Sequence, residues 1–83
     1  MKTFELVPIN GRKSFYRKAI VETNGNISDL RSFDTIVASL NHKTNKVTVN
    51  GWYSVTTANH INAFLDYYGK PQMSKKEMIN FKN

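Results

Sequence analysis

The sequence predicts one α+β domain. A four-stranded antiparallel sheet, made of two hairpins, is packed by one amphipathic helix and followed by a short C-terminal helix. Three observations predict this fold. Residues 2–53 form strand-like runs of alternating apolar and polar side chains, separated by turn signals. Residues 56–68 place their apolar side chains at helical spacing instead. Residues 74–77, SKKE, form a capping-box sequence, which indicates the start of a second helix.

A first hairpin is predicted over residues 1–23. Asn10-Gly11 stands between two strand-like runs, and both residues accept the positive φ that a two-residue hairpin turn needs. Such a turn places Glu5 opposite Tyr16 in the neighbouring strand. Asn24-Gly25-Asn26 then ends the return strand, because three turn-forming residues follow each other there.

A second hairpin follows a segment, residues 27–31, that is interpreted as a loop with a helical turn. Residues 32–40 are rich in β-branched side chains and are predicted as a strand. A polar turn follows, with Asn45 as its left-handed residue. Residues 47–53 form the return strand, and Gly51 marks a bend just before an aromatic pair.

The helix is predicted over Thr56–Tyr68, capped by Ser54 or Thr56. Gly69 suits a left-handed residue after the helix, and the proline two residues later prevents continuation. The apolar face is expected to pack on the sheet; it consists of Ala58, Ile61, Phe64, Leu65 and Tyr68.

A second stripe on the same helix is predicted to be an ordinary solvated face, and it consists of His60, Ala63 and Tyr67. The short C-terminal helix is expected within residues 74–82, with Met78 and Phe81 as its apolar contacts. Residues 32–69 together form the hairpin-plus-helix kernel of the single domain, 1–83.

The composition excludes several kinds of functional site. The 83 residues contain no cysteine, which removes disulfides and sulfur-based zinc sites. No apolar run approaches the roughly 20 residues that a membrane helix needs. The N-terminal residues have no apolar signal core. The sequence therefore predicts a soluble protein of the cytoplasm that makes no membrane contact.

The net charge of +6 is unevenly distributed. Residues 1–18 carry a balance of +4, residues 19–69 carry −1, and residues 70–83 carry +3. If the two basic ends meet in space, they form one positive surface. Such a surface attracts nucleic acid or an acidic protein.

Residues of catalytic type do not form a recognisable site. His42 and His60 have no carboxylate four residues further on, so neither suggests a metal ligand pair. Ser54, His60 and Asp66 follow each other in triad order, but steps of six residues on a helix turn the side chains apart. Acidic residues are spread singly, and no glycine-rich loop precedes a helix. The sequence predicts no catalytic residue, no metal site and no cofactor.

The stretch GRKSFYRK, residues 11–18, is the strongest binding signal because it combines four cations with two aromatic rings. The alternative is the solvated side of a hairpin, since edge strands carry lysine and arginine to prevent aggregation. An exposed aromatic residue is favoured at binding surfaces. The candidate binding residues are Arg12, Lys13, Tyr16, Arg17, Lys18, Trp52, Tyr67, Lys75 and Lys76.

One pattern is shared with known proteins. Val37-Ala38 ends a strand, residues 49–54 read VNGWYS, and residues 56–65 read TTANHINAFL. The pattern, which covers residues 32–69, resembles a family of small uncharacterised domains in phage, prophage and other mobile-element proteins of Gram-positive and gut bacteria. The resemblance implies a mobile-element origin and no established activity. By analogy with small phage proteins, it suggests an anti-defence role such as that of an anti-CRISPR protein.

The sequence thus favours a non-enzymatic binding protein that modulates a host or viral nucleic-acid-handling complex. Direct, weakly specific binding of DNA or RNA is the first alternative. A structural protein that acts by oligomerisation through a sheet edge is the second. The sequence does not indicate the oligomeric state.

Overall fold

A computed structural model describes residues 2–6 and 18–81 of the chain. Five strands precede two helices. They are β1 (Lys2–Glu5), β2 (Ala19–Asn24), β3 (Ile27–Ser32), β4 (Thr35–Asn41), β5 (Lys46–Val49), α1 (Val55–Tyr67) and α2 (Lys75–Ile79). The strands form one antiparallel sheet in the order β1-β2-β3-β4-β5. The α+β class and both helices are confirmed, whereas the prediction of four strands in two hairpins is wrong.

The additional strand is β3, which the sequence interpretation had treated as a loop. Its inward-facing side chains are Ser28, Leu30 and Ser32, all buried. Two of these three are serines, so the alternation that normally identifies a strand is concealed. The buried hydroxyl groups are satisfied by hydrogen bonds to the helix and to the turns, which allows serine at core positions.

The pairing of β1 with β2 also differs from the expected register. Glu5 lies opposite Ile20, not Tyr16, and the Leu6 amide donates to the Ala19 carbonyl at 2.9 Å. The observed register places Phe4 opposite Val21, in line with the apolar residues of the next strands. Burial of this row fixes the register, since a shift by one residue would turn every side chain to the other face. The predicted turn at Asn10-Gly11 lies outside the described residues.

The strand predicted over residues 32–40 begins later, at Thr35, and forms a hairpin with β3. Ser32 ends β3 opposite Thr35, so Phe33 and Asp34 form a two-residue loop. The register between the two strands shifts beside Leu30, and two consecutive β4 residues, Val37 and Ala38, are both buried. A bulge of this kind explains why strict alternation fails within β4.

The last strand is shorter than predicted, because β5 ends at Val49. Asn50 closes the sheet there by donating its amide to the Val37 carbonyl at 2.9 Å. Gly51 then adopts a φ of 119°, which confirms the predicted bend. Asn45 adopts a φ of 57° in the turn before β5, as the sequence predicted.

The helix α1 lies across the inner face of the sheet. Its N-cap is Ser54, whose Oγ accepts from the Thr57 amide, and Gly69 follows it with a φ of 72°. The predicted contact residues Ile61, Phe64 and Leu65 are buried, with at most 1% exposed. They pack on a core that includes Leu6, Ala19, Val21, Leu30, Val37, Ala38, Leu40 and Val49.

The predicted solvated stripe of α1 is wrong for two of its three residues. His60 and Ala63 are buried, and only Tyr67 is exposed. His60 is buried because it hydrogen-bonds to Ser32 of β3 and packs against Phe33. The helix also makes a second contact, with the segment before α2. Asn62 exchanges two hydrogen bonds with the Met73 main chain, at 2.7 and 3.0 Å. The helix is therefore buried over a wider arc than its apolar stripe suggests.

The short helix α2 begins at the predicted capping box. The Ser74 hydroxyl accepts from the Glu77 amide, and the Glu77 carboxylate accepts from the Ser74 amide at 2.8 Å. Met78 is fully buried in the core, and Phe81 packs at its margin. The helix itself ends at Ile79.

Candidate binding surface

Four strand ends meet at one end of the sheet. Because the strands are antiparallel, β2 and β4 begin where β3 and β5 end. The helix α1 begins at the same end, since its Thr57 hydroxyl is 3.0 Å from the Ser32 hydroxyl, at the end of β3. The positive end of the helix dipole therefore adds to any cations located there.

The first aromatic ring at this end is Phe33, in the β3–β4 loop. The Lys18 ammonium lies 5.9 Å from its ring centroid, within the range of a cation–π contact. The Phe33 amide also donates to the Lys18 carbonyl at 2.8 Å, which fixes the two residues side by side. The His60 ring supports the phenyl ring from the helix, with 5.7 Å between the ring centroids.

Phe33 has an unusual backbone conformation. Its φ is 58°, in the left-handed region, while 49% of its surface is exposed. A two-residue hairpin loop requires positive φ, but glycine or asparagine normally supplies it. A bulky residue in this region costs about 1–2 kcal/mol. Backbone strain at an exposed aromatic residue is typical of a functional position.

The second aromatic ring at this end is Trp52, between β5 and α1. It is half-buried against the core, and the Lys75 ammonium of α2 lies 5.0 Å from its ring centroid. Its neighbour Tyr53 is 46% exposed. Neither ring lies in a strand, because β5 ends at Val49. We call Lys18, Phe33, Trp52 and Lys75 the cation–aromatic end.

A buried polar cluster underlies this end and makes it rigid. The Ser32 hydroxyl is 2.7 Å from His60 Nδ1 and 3.0 Å from the Thr57 hydroxyl. All three side chains have at most 4% of their surface exposed. Such a satisfied network fixes α1 on β3 because each of its members would be costly to leave unpaired.

A second serine–histidine pair lies at the opposite end of the sheet. The Ser28 hydroxyl is 2.7 Å from His42 Nε2 and 2.7 Å from the Thr23 hydroxyl. It also accepts from the Tyr68 hydroxyl at 3.3 Å. This cluster joins the end of α1 to the turn after β4. No sequence pattern indicated this cluster, because its members are far apart along the chain.

The two serine–histidine pairs have the separation of a nucleophile and its base, yet the burial of both serines favours a structural role. Ser28 is fully buried and Ser32 is 3% exposed, so neither hydroxyl faces a place where a substrate could bind. In the described parts of the chain, no three His, Asp or Glu side chains come together as metal ligands. No helix there is long and apolar enough to span a membrane.

The outer face of the sheet carries acidic residues. Glu22 and Asp29 lie directly opposite each other on neighbouring strands. Arg31 donates to Glu22 at 2.7 Å, and this hydrogen bond, together with the negative charge of Glu22, raises the pKa of the Arg31 guanidinium. Ser39 donates to Asp29 at 2.6 Å. Two adjacent carboxylates make this face a poor surface for a polyanion.

The structure pairs two of the candidate binding residues directly, since the Lys75 ammonium lies over the Trp52 ring. Lys18 contacts Phe33 instead, and Lys76 follows Lys75 on α2. Tyr67 lies away from them, with its ring tilted against that of Phe4 and 4.9 Å between the ring centroids. The remaining candidates fall outside the described residues: Arg12, Lys13, Tyr16 and Arg17.

The sequence interpretation missed Phe33 as a candidate contact residue. Its sequence signal was weak, since the two-residue loop Phe33-Asp34 contains neither glycine nor asparagine. The basic C-terminal segment is also divided by the fold. Lys70 turns to the opposite end, where its ammonium donates to the Asn45 carbonyl at 2.9 Å.

Comparison with known proteins identifies a family and no activity. No curated protein and no solved structure matches the chain. A family model described as a family of unknown function, DUF8033, matches residues 4–80, nearly the whole chain. This description contains no link to phage or other mobile elements, so the resemblance to mobile-element proteins stays a prediction. The chain belongs to the DUF8033 family.

Proposed function

We propose that this chain is a non-enzymatic binding domain of the bacterial cytoplasm. Its cation–aromatic end docks on a negatively charged surface of a host or viral nucleic-acid-handling complex and modulates that complex. The most concrete form of this function is an anti-defence inhibitor of the anti-CRISPR type, which rests on the resemblance to mobile-element proteins.

The observation that carries the proposal is the pairing of lysines with aromatic rings at one end of the sheet. Lys18 lies on Phe33 and Lys75 lies on Trp52, although the two lysines are far apart in sequence. Aromatic rings and cations together are typical of binding surfaces, because the rings supply contact area and the cations supply complementarity. The end is basic but not purely cationic, because the acidic residue Asp34 lies next to Phe33.

Direct binding of DNA or RNA is the second candidate. The same aromatic rings favour it, because single-stranded nucleic acids stack their bases on aromatic side chains between lysine contacts to phosphate. Nuclease treatment distinguishes the two candidate functions. A nuclease destroys a nucleic-acid ligand and leaves a protein ligand intact.

The test compares two double variants of equal charge. Lys18→Glu/Lys75→Glu changes the cation–aromatic end. Lys2→Glu/Lys43→Glu makes the same change elsewhere on the chain, outside both this end and β5. Each variant lowers the formal net charge from +6 to +2, since each reversal removes two units of charge. Any difference between them therefore reports the location of the charge.

The measurement is recovery of proteins by each tagged variant from bacterial cells, before and after nuclease treatment. We expect the native chain and the Lys2/Lys43 variant to recover the same nucleic-acid-handling proteins after nuclease treatment. We expect the Lys18/Lys75 variant to lose them. Equal recovery by the two variants would show that the cation–aromatic end is not the docking surface. Loss of all partners on nuclease treatment would favour direct nucleic-acid binding.

A further inference from the structure

A second surface, formed by different residues, lies beside β5 at the other edge of the sheet from β1. It is an open groove of about 530 Å³, which is within the usual range of ligand sites. Its apolar lining comes from Val47, Leu65, Pro71, Met73 and Phe81, and its polar margin comes from Lys70, Gln72, Glu77 and Asn80.

The far wall of the groove, residues 70–73, is held in place by the rest of the fold. The Lys70 amide donates to the Leu65 carbonyl at 2.8 Å, and the Met73 amide donates to Asn62 at 2.7 Å. The Lys70 ammonium is bound to the Asn45 carbonyl. A groove that is already formed costs little conformational entropy when a ligand binds.

The near wall is the edge strand β5, and this identifies the kind of ligand. Within the part of the chain described, β5 pairs only with β4, and no main-chain hydrogen bond joins it to residues 70–73. Pro71 has no amide hydrogen to offer it. The outward N–H and C=O groups of an edge strand pair with another extended chain, while pockets beside the strand accept alternate side chains.

The charges at the groove favour an acidic ligand. The Glu77 carboxylate is engaged in the capping box of α2, where it accepts from the Ser74 amide. Lys70 at the margin and Lys46 at the start of β5 are both positive, and they lie at the same end of the strand. Lysines at one end of the groove match an acidic side chain on a ligand that runs along β5.

We propose that β5 and the adjoining groove bind an extended segment of a partner protein by strand addition. The segment pairs its main chain with residues 46–49. It places an apolar side chain in the groove beside Val47, and it carries an acidic residue that lies near Lys70. This site is independent of the cation–aromatic end, so the two proposals can fail separately.

The probe is a peptide selected from a displayed library of random peptides, with the full chain as bait. We expect the enriched peptides to alternate apolar and polar residues and to contain an acidic residue. Methylation of a peptide amide that pairs with β5 should weaken binding at least about tenfold, because it removes a hydrogen bond and introduces a clash. Methylation one residue along should have little effect, since alternate amides of a strand point away from its partner.

Two protein variants test the charge contribution. Lys70→Glu should weaken binding of the acidic peptide roughly three- to tenfold. The matched control, Lys2→Glu, makes the same charge change on the opposite edge strand and should leave the affinity within about twofold. Restoration of binding to Lys70→Glu by a peptide with lysine in place of its acidic residue would support the pairing directly.

Amide hydrogen exchange of the unmodified chain keeps the proposal testable if a variant fails to fold. The outward amides of residues 46–49 should exchange more slowly once the peptide is bound. Enriched peptides that leave these amides unprotected, or a selection that enriches no peptide, would overturn the proposal. Concentration-dependent protection of the same amides without peptide would also overturn it, because the occupant would then be a second copy of the chain.

Discussion

At the scale of single residues, a substitution of Phe33 is expected to weaken binding and to leave the stability nearly unchanged. Phe33→Gly removes the exposed ring and also relieves a left-handed backbone conformation, with φ at 58°. Relief of about 1–2 kcal/mol of strain offsets the lost contact with His60 and the greater freedom of glycine in the unfolded chain. We therefore expect the free energy of unfolding to stay within about 1 kcal/mol of the native value, while partner binding falls about tenfold or more.

The matched control for this change is Asn45→Gly. Asn45 has nearly the same φ, 57°, but lies in the turn at the opposite end of the sheet. Asn45→Gly should leave binding unchanged. Both variants are compared side by side, by urea unfolding for stability and by recovery of the partner for binding. If Phe33→Gly lowers the free energy of unfolding by more than about 1 kcal/mol and leaves the binding affinity intact, the ring serves only to cover the polar cluster beneath it.

His60 provides a second prediction at this scale. His60→Ala removes a buried ring and leaves the Ser32 and Thr57 hydroxyl groups beside a cavity. The loss of packing and of a buried hydrogen bond should lower the free energy of unfolding by about 2–4 kcal/mol. Asn59→Ala, one residue earlier on α1 and only half-buried, should cost less than about 1 kcal/mol. Equal costs in urea unfolding would contradict the role assigned to the cluster.

At the scale of elements, most of the hydrophobic core lies between α1 and the sheet. Phe64 is the largest fully buried side chain, with 1% of its surface exposed. Phe64→Ala should lower the free energy of unfolding by about 3–5 kcal/mol, a large part of the stability of a small domain. Asp66→Ala, on the exposed side of the same helix, should change it by less than about 0.5 kcal/mol. An unchanged melting temperature for Phe64→Ala would mean that the packing face is misassigned.

The elements that could be predicted from the sequence are those in which side-chain pattern and end signals agree. Helix α1 has an apolar stripe, a serine cap and a following glycine, and α2 has a complete capping box. Strand β3 could not be predicted, because its inward serines are paired with histidines that are distant in sequence. For the same reason His60 was expected at the surface: a single histidine on a helix does not reveal that a serine on another strand faces it.

The candidate site could be predicted only in part, for a related reason. Lysines and aromatic residues were evident as types, but their neighbours depend on which strand ends meet. Lys75 reaches Trp52 only because the chain turns back along α1 after Gly69. Phe33 becomes a contact residue only because β3 ends at Ser32. This strand end places Phe33 in a loop beside Lys18.

At the scale of the whole molecule, the placement of charge should matter more than its total. The outer sheet face carries Glu22 and Asp29, whereas the cation–aromatic end carries Lys18 and Lys75. A polyanion should therefore approach through that end. If nucleic acid binds directly, log Kd should rise with log salt by roughly 0.7–0.9 per phosphate neutralised. The assay is a titration of labelled single-stranded and duplex oligonucleotides at several salt concentrations.

The two double variants make this prediction specific, because both have a formal net charge of +2. Lys18→Glu/Lys75→Glu should weaken oligonucleotide binding and reduce the salt slope by roughly 0.7–0.9 for each lysine that contacts a phosphate. Lys2→Glu/Lys43→Glu should retain the slope and lose only the long-range attraction, which is screened beyond about 8 Å at physiological salt. Equal slopes for the two variants would assign the attraction to net charge alone. Absence of oligonucleotide binding at low salt would exclude the nucleic-acid ligand. The salt dependence should then appear in the association rate with a protein partner, because long-range attraction accelerates encounter more than it strengthens the complex.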